Sequence, residues 1–166
     1  ALLQGIADRG LAAETLPPLE RATAELERAL EGERHEPVQQ AAATMQRALR
    51  ERWLSLRVAQ LQGIAQPGLA SEEIPVAEQA ARRLNEALAT EADAEVVAAL
   101  APTRQALAEH ILNLKLGALR ATAEAALASE DAARVRQAIG TLTAARDTIS
   151  EPELRGAVDR YVQRLD

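Results

Sequence analysis

Cysteine and phenylalanine are absent from this 166-residue chain, and aromatic residues make up 1% of it. Without cysteine there are no disulfides and no thiolate metal sites, and cysteine usage does not indicate a redox compartment. Because the chain has one tryptophan and one tyrosine, its interior must be built from Leu, Ala, Val and Ile. A core of such side chains favours helices that approach each other closely.

The chain also lacks a basic excess and a long apolar run. Its formal net charge of −6 argues against binding to nucleic acid, which requires a concentrated basic face, and equally against binding to anionic membranes. Since no apolar run is long enough to cross a bilayer, we expect a soluble segment without membrane insertion. The cellular compartment stays undetermined.

Residues that prefer β-strands are scarce as well. Ala, Leu, Glu, Arg and Gln dominate the sequence, and all five favour helix, whereas β-branched and aromatic residues are less common. We therefore predict an all-α fold.

An internal repeat organises the sequence. The segment Leu-Gln-Gly-Ile-Ala at 3–7 returns at 61–65, and a weaker echo begins at Leu119 after the same interval. We predict three tandem, in-register helical repeats of about 58 residues, at 1–58, 59–116 and 117–166, the third being truncated. Because the pattern is cut at both ends, we expect a longer parent chain.

Each repeat is expected to contain a short helix A, a helix B and a helix C. In the first copy, helix A should end at Gly10, which can adopt a left-handed backbone. Apolar residues at helical spacing place helix B over roughly 15–32, 72–90 and 130–148. Hydroxyls and carboxylates that can cap the first amides of a helix lie at the start of helix B in each repeat, at Glu14-Thr15, Ser71-Glu72-Glu73 and Ser129-Glu130-Asp131.

Helix C is expected to cross the repeat boundary into the next helix A. The apolar pattern that begins at Val38 meets no breaker before Pro67, which predicts one helix of roughly 30 residues. The second crossing runs from Val96 toward Leu127, and Pro102 should kink it. The third helix C begins with the pattern of a capping box, Ser150-Glu151-Pro152-Glu153.

This helix order resembles tandem three-helix modules of the spectrin-repeat kind, joined by continuous helices. The resemblance concerns architecture alone. Two other packings use the same helices: an α-solenoid of helical hairpins, and an elongated helical bundle like the sensor domains of bacterial receptors.

Residues able to perform chemistry are few. The two histidines are His35 and His110; the residues three and four positions from His110 include no strong ligand, so we expect no metal site and interpret His110 as an exposed helix residue. Gly5 and Gly63 follow no strand and lie in no glycine-rich loop, so a phosphate site is not expected; close helix approach is the simpler explanation. The pattern predicts no catalytic residue and no cofactor.

Trp53 is the one residue that we single out as a binding candidate. It lies at an apolar position in the middle of the first crossing helix, where the second copy has Ile111. Core filler is the ordinary interpretation of a lone tryptophan, and a partner-binding anchor is the other, since tryptophan is enriched among interface hot spots.

These patterns favour a non-enzymatic helical repeat segment that acts as a spacer, scaffold or protein–protein interaction module. The alternative is an extracytoplasmic sensor or carrier domain that binds a small or apolar ligand between its helices. Protein is the expected partner, and the oligomeric state stays open.

Overall fold

The computed structural model describes residues 2–129, 131–149 and 152–165. These residues form α-helices and no strand, so the predicted all-α fold is confirmed. The helices are α1 Leu2–Leu11, α2 Leu16–Ala29, α3 Glu36–Leu69, α4 Ile74–Ala89, α5 Ala94–Ala99, α6 Ala101–Leu127, α7 Ala132–Thr148 and α8 Pro152–Leu165. Among the described helices, none is both long and apolar enough to cross a membrane.

The chain divides into two compact units. Unit 1 comprises Ala1–Ile64 and Leu84–Thr103, and unit 2 comprises Ala65–Arg83 and Arg104–Asp166. In unit 1, α1 packs against α2, and the core includes Ile6, Ala13, Leu19, Ala22, Leu26 and Leu49. In unit 2, α7 packs against α8, and one core cluster contains Ala123, Leu142 and Val158. The predicted boundaries of the three repeats divide the chain differently and stay a prediction.

Burial recurs at the interval of the predicted repeat. Three sets of corresponding residues are each buried in all three predicted copies: Ala7, Ala65 and Ala123; Ala22, Ala80 and Ala138; Leu26, Leu84 and Leu142. The Ala22 and Leu26 sets belong to the apolar spacing that predicts helix B, whereas the Ala7 set was not predicted as core.

The first crossing helix is confirmed. α3 is a single helix of 34 residues, and Pro67 lies inside it, near its end. Proline has no amide proton, so the carbonyl of Gly63 loses its usual donor within the helix. The helix still continues past Pro67 to Leu69, because the loss of one hydrogen bond so near the end of a helix affects few others.

The second crossing differs from the prediction. Instead of one kinked helix, the structure has α5 and α6, separated at Leu100. Pro102 lies in the first turn of α6, where the missing amide proton costs least, and α5 ends with the amide of Leu100 donating to the Val96 carbonyl. The prediction of a kink was therefore wrong, because the proline begins a new helix.

The glycines have other roles than those predicted. Gly10 does not terminate α1 in a left-handed conformation; among the described residues, positive φ occurs at Gly32, with a value of 82°. A Cβ atom built on Gly5 or Gly63 meets nothing within 4 Å, so the predicted close approach at these two glycines was wrong.

Close helix approach occurs at Gly10 and Gly68 instead. A Cβ on Gly10 would lie 2.5 Å from Leu49 Cδ2 and 2.9 Å from Ala22 Cβ. A Cβ on Gly68 would lie 2.5 Å from Ala80 Cβ and 3.1 Å from Leu107 Cδ1. Each contact around Gly68 has its counterpart around Gly10, earlier in the chain by the interval of the predicted repeat.

Helix capping follows the predicted chemistry in part. Asp131 accepts the Ala133 amide at the start of α7, with a distance of 2.8 Å, whereas Thr15 makes no side-chain cap bond at the start of α2. Ser71 accepts the Glu73 amide at 3.0 Å, just before α4. Glu130 and the capping-box residues Ser150 and Glu151 lie outside the described residues.

We predict that Gly68→Ala lowers the free energy of unfolding by about 1–3 kcal/mol, because Ala80 Cβ is fixed to its backbone and cannot move aside. The matched control is Gly63→Ala in the same helix, which should raise stability by about 0.5–1 kcal/mol through helix propensity alone. Urea unfolding followed by circular dichroism measures both. Equal effects of the two substitutions would contradict the assigned contact.

Candidate interaction groove around Trp53

A hollow of about 400 Å³ lies between α2 and α3 in unit 1. α2 contributes Glu20, Thr23, Ala24 and Glu27, and α3 contributes Gln46, Leu49, Arg50 and Trp53. Leu49 is fully buried, so its side chain connects the hollow to the core of the unit. The hollow therefore has an apolar base and a polar rim.

Trp53 is held at one side of this hollow by polar and apolar contacts. Its side chain packs against the core cluster of unit 1 and remains half-buried. The indole Nε1 donates to Glu20 Oε1 at 3.2 Å, and the Arg50 guanidinium lies over the ring, 4.9 Å from its centroid. A cation in this position is attracted by the ring electrons. Trp53 thus combines a core contact with a polar edge at the surface.

A second hollow, of about 280 Å³, lies along the same two helices. It is lined by Glu14, Thr15, Leu16, Pro17, Leu56, Ala59 and Gln60. Pro17, Glu20, Ala24 and Glu27 are spaced by three or four residues, so they share one face of α2. The lining residues of α3 share one of its faces for the same reason. We call the two hollows together the α2–α3 groove.

Two arginines of α3 are paired with acidic residues just before and within α5. Arg50 contacts Asp93 and also Glu95, the latter at 3.2 Å. Arg57 Nε donates to Glu91 Oε2 at 2.7 Å, and the Glu91 side chain is only 7% exposed. These ion pairs connect the middle of α3 to the segment 91–95, which helps to fix the positions of Arg50 and Trp53.

The ion pairs change the protonation equilibria of both acids. The Arg57 guanidinium, which donates a hydrogen bond to Glu91, lowers the pKa of that carboxyl below its ordinary value. The pKa of Asp93 is lowered in the same way by Arg50. Both acids therefore stay ionised next to their arginines at neutral pH, and the arginine charges near the groove are compensated.

His110 lies elsewhere and is half-buried, which corrects the prediction of an exposed residue. Its Nε2 is 2.8 Å from the Ser71 carbonyl oxygen, and since a carbonyl only accepts, the ring nitrogen is the donor. Earlier in the chain by the interval of the predicted repeat, at the positions that correspond to this pair, Arg52 Nη2 donates to the Ala13 carbonyl at 2.7 Å. The two side chains hold corresponding loops, a structural role that sequence alignment of His110 with Arg52 could have suggested.

The remaining predicted positions do not assemble into a chemical site. His35 is exposed at the start of α3. Among the described residues, no group of three or more His, Cys, Asp or Glu side chains is arranged to hold a metal ion. The groove acids Glu20 and Glu27 and the amide of Gln46 were not predicted as site residues, because their proximity depends on how α2 and α3 pack.

Comparisons with protein-family models, curated proteins and solved structures gave no significant match to this chain.

We predict that stability falls more steeply in acid for the wild type than for Glu91→Gln. The pKa of Glu91 is lower in the folded state, so its contribution is present above about 4.5, the ordinary pKa, and is lost as pH falls through the folded-state value. At pH 7 the variant should be less stable by about 1 kcal/mol. Urea unfolding between pH 7 and pH 3 measures both effects.

The control for this experiment is Glu86→Gln, which removes a charge from an exposed position on α4. It should leave the pH dependence close to that of the wild type. If the two variants had the same pH profile, the Arg57–Glu91 pair would not stabilise the fold.

Proposed function

We propose that the chain is a non-enzymatic helical repeat segment that acts as a scaffold for protein–protein interaction, and that the α2–α3 groove is its binding surface. One observation carries the proposal: Trp53 lies half-buried beside an open hollow, with one edge bonded to Glu20 and its ring covered by Arg50. Tryptophan and arginine at the edge of a pocket are typical of interface hot spots.

The contrast between repeated and unrepeated residues supports the assignment. Packing contacts recur at the repeat interval, as at Gly10 and Gly68. Two groove residues do not, since Trp53 and Arg50 correspond to Ile111 and Ala108. Residues that serve only the helical framework are expected in every copy. A tryptophan and an arginine present in one copy alone are better explained by a task specific to that copy.

The polar pairing of Trp53 supports the same interpretation. A residue that served only as core filler would be expected deep among apolar side chains. Trp53 instead directs its indole N–H to a surface carboxylate while its ring contacts the core. Its position is therefore fixed before any partner binds, which reduces the entropy lost on association.

The second candidate function is a carrier or sensor for a small or apolar ligand. The observation in its favour is the hollow of about 400 Å³, which falls within the ordinary range for ligand pockets of roughly 300–1,000 Å³. Ala24 and Trp53, which are partly exposed, would supply the apolar contacts. Native mass spectrometry of the purified chain distinguishes this function, because a carrier would retain a bound molecule of defined mass.

We predict that a photo-crosslinking residue, p-benzoylphenylalanine, introduced at Ala24 captures a protein when the chain is expressed in its host cell. Ala24 lines the groove, so a bound partner would lie within reach of the probe. The matched control places the probe at Arg82, the corresponding position in the second copy, where no adduct is expected. Mass spectrometry of the adduct identifies the partner.

The same experiment with Trp53→Ala should lose most of the adduct, since truncation of a hot-spot tryptophan costs about 2 kcal/mol or more of binding free energy. An adduct of equal yield at Arg82, or one that persists without Trp53, would contradict the proposal. Turnover of a substrate by the purified chain would overturn its non-enzymatic part.

A further inference from the structure

We propose that the occupant of the α2–α3 groove is a basic amphipathic helix of the partner protein. This inference rests on the proposed function and adds to it the chemical class of the partner segment.

The dimensions of the groove match those of a short helix. From Leu16 to Glu27 the groove follows three turns of α2, or about 17 Å, and it continues for a similar length along α3. Side chains that alternate between apolar and polar along such a groove are suited to a helix that presents one apolar stripe. Ala24, Trp53 and Leu56, which are partly exposed, would contact that stripe.

The α2 side of the groove carries uncompensated negative charge. Glu14, Glu20 and Glu27 all line the groove and are exposed. Among the described residues, none of the three forms an ion pair, and Glu20 accepts only the uncharged indole N–H of Trp53. Arg21 and Arg28 lie one position further around α2 and do not line either hollow.

The α3 side does not offset this charge. Among the described residues, Arg50 is the one basic residue that lines either hollow, and it is already paired with Asp93 and Glu95. Three glutamates against one arginine give the lining of the groove a net negative charge. A partner with Lys or Arg on both sides of its apolar stripe would complement that charge, and an acidic helix would be repelled.

A second copy of this chain is the poorer match for the groove. The chain has a formal net charge of −6, so two copies repel each other at low ionic strength. Membrane binding is disfavoured for a related reason, because the acidic edge would face anionic headgroups. A basic amphipathic helix would place its apolar stripe on the apolar base of the groove and its Lys or Arg side chains beside the acidic rim.

The test uses the full chain and two fluorescein-labelled helical peptides of about 18 residues. In the first, leucines form one stripe and lysines flank it; in the second, glutamates replace the lysines. Fluorescence anisotropy should show saturable binding of the lysine peptide and at least about tenfold weaker binding of the glutamate peptide. Raising the salt concentration should weaken binding of the lysine peptide.

Variants locate the binding site. The double substitution Glu20→Gln and Glu27→Gln should weaken binding of the lysine peptide about fivefold, because it removes two rim charges without removing the apolar base. The matched control, Glu72→Gln, removes one charge at the position of the second copy that corresponds to Glu14, and it should leave the dissociation constant unchanged. A photo-crosslinking residue at Ala24 should attach to the lysine peptide itself.

The proposal is overturned if the two peptides bind equally well, if the lysine peptide does not bind, or if Glu72→Gln weakens binding as much as the double variant. It is also overturned if sedimentation equilibrium shows a dimer that the double variant stabilises and the peptide cannot displace. If a host protein is captured at Ala24 while the lysine peptide fails to bind, the inference about a basic helix fails and the proposed function stands.

Discussion

Close contact between helices at small residues is the constraint on which the rest of this structure depends. Without large rings to fill space, the core is dense only where backbones approach each other, and Gly10 and Gly68 make that possible. Leu49 and Leu107 each lie against one of these glycines and are buried as a result. The same packing leaves the neighbouring face of α2 outward, so the groove is a by-product of the core.

Polar contacts hold the loops and the segment 91–95 in position. Arg52 and His110 each donate to a loop carbonyl, and the arginines of α3 hold the segment 91–95 through its carboxylates. Each of these contacts joins residues that are distant in the chain, as with Arg57 and Glu91. In these contacts, charged and polar side chains position segments of the chain.

Sequence patterns predicted the helices well because helix formation and burial both depend on local periodicity. They located α3 across the predicted boundary, and they identified Leu26, Leu84 and Leu142 as core positions. The prediction of close helix approach at Gly5 and Gly63 was wrong. Whether a glycine has a close neighbour depends on tertiary packing, which the spacing of residues in the sequence does not encode. Trp53 was recognisable from its rarity, but Glu27 and Arg50 became part of the same groove only through the packing of α2 against α3.

The scarcity of aromatic residues has a practical consequence for observing this molecule. Unit 1 contains the single tryptophan, Trp53, and unit 2 contains the single tyrosine, Tyr161, which packs against the Leu142 cluster. Each unit therefore carries one chromophore of its own type, and the two absorb and emit at different wavelengths. Fluorescence excited at the long-wavelength edge of the spectrum, where tryptophan absorbs and tyrosine does not, can follow unit 1 in the unmodified chain without labels or engineered reporters.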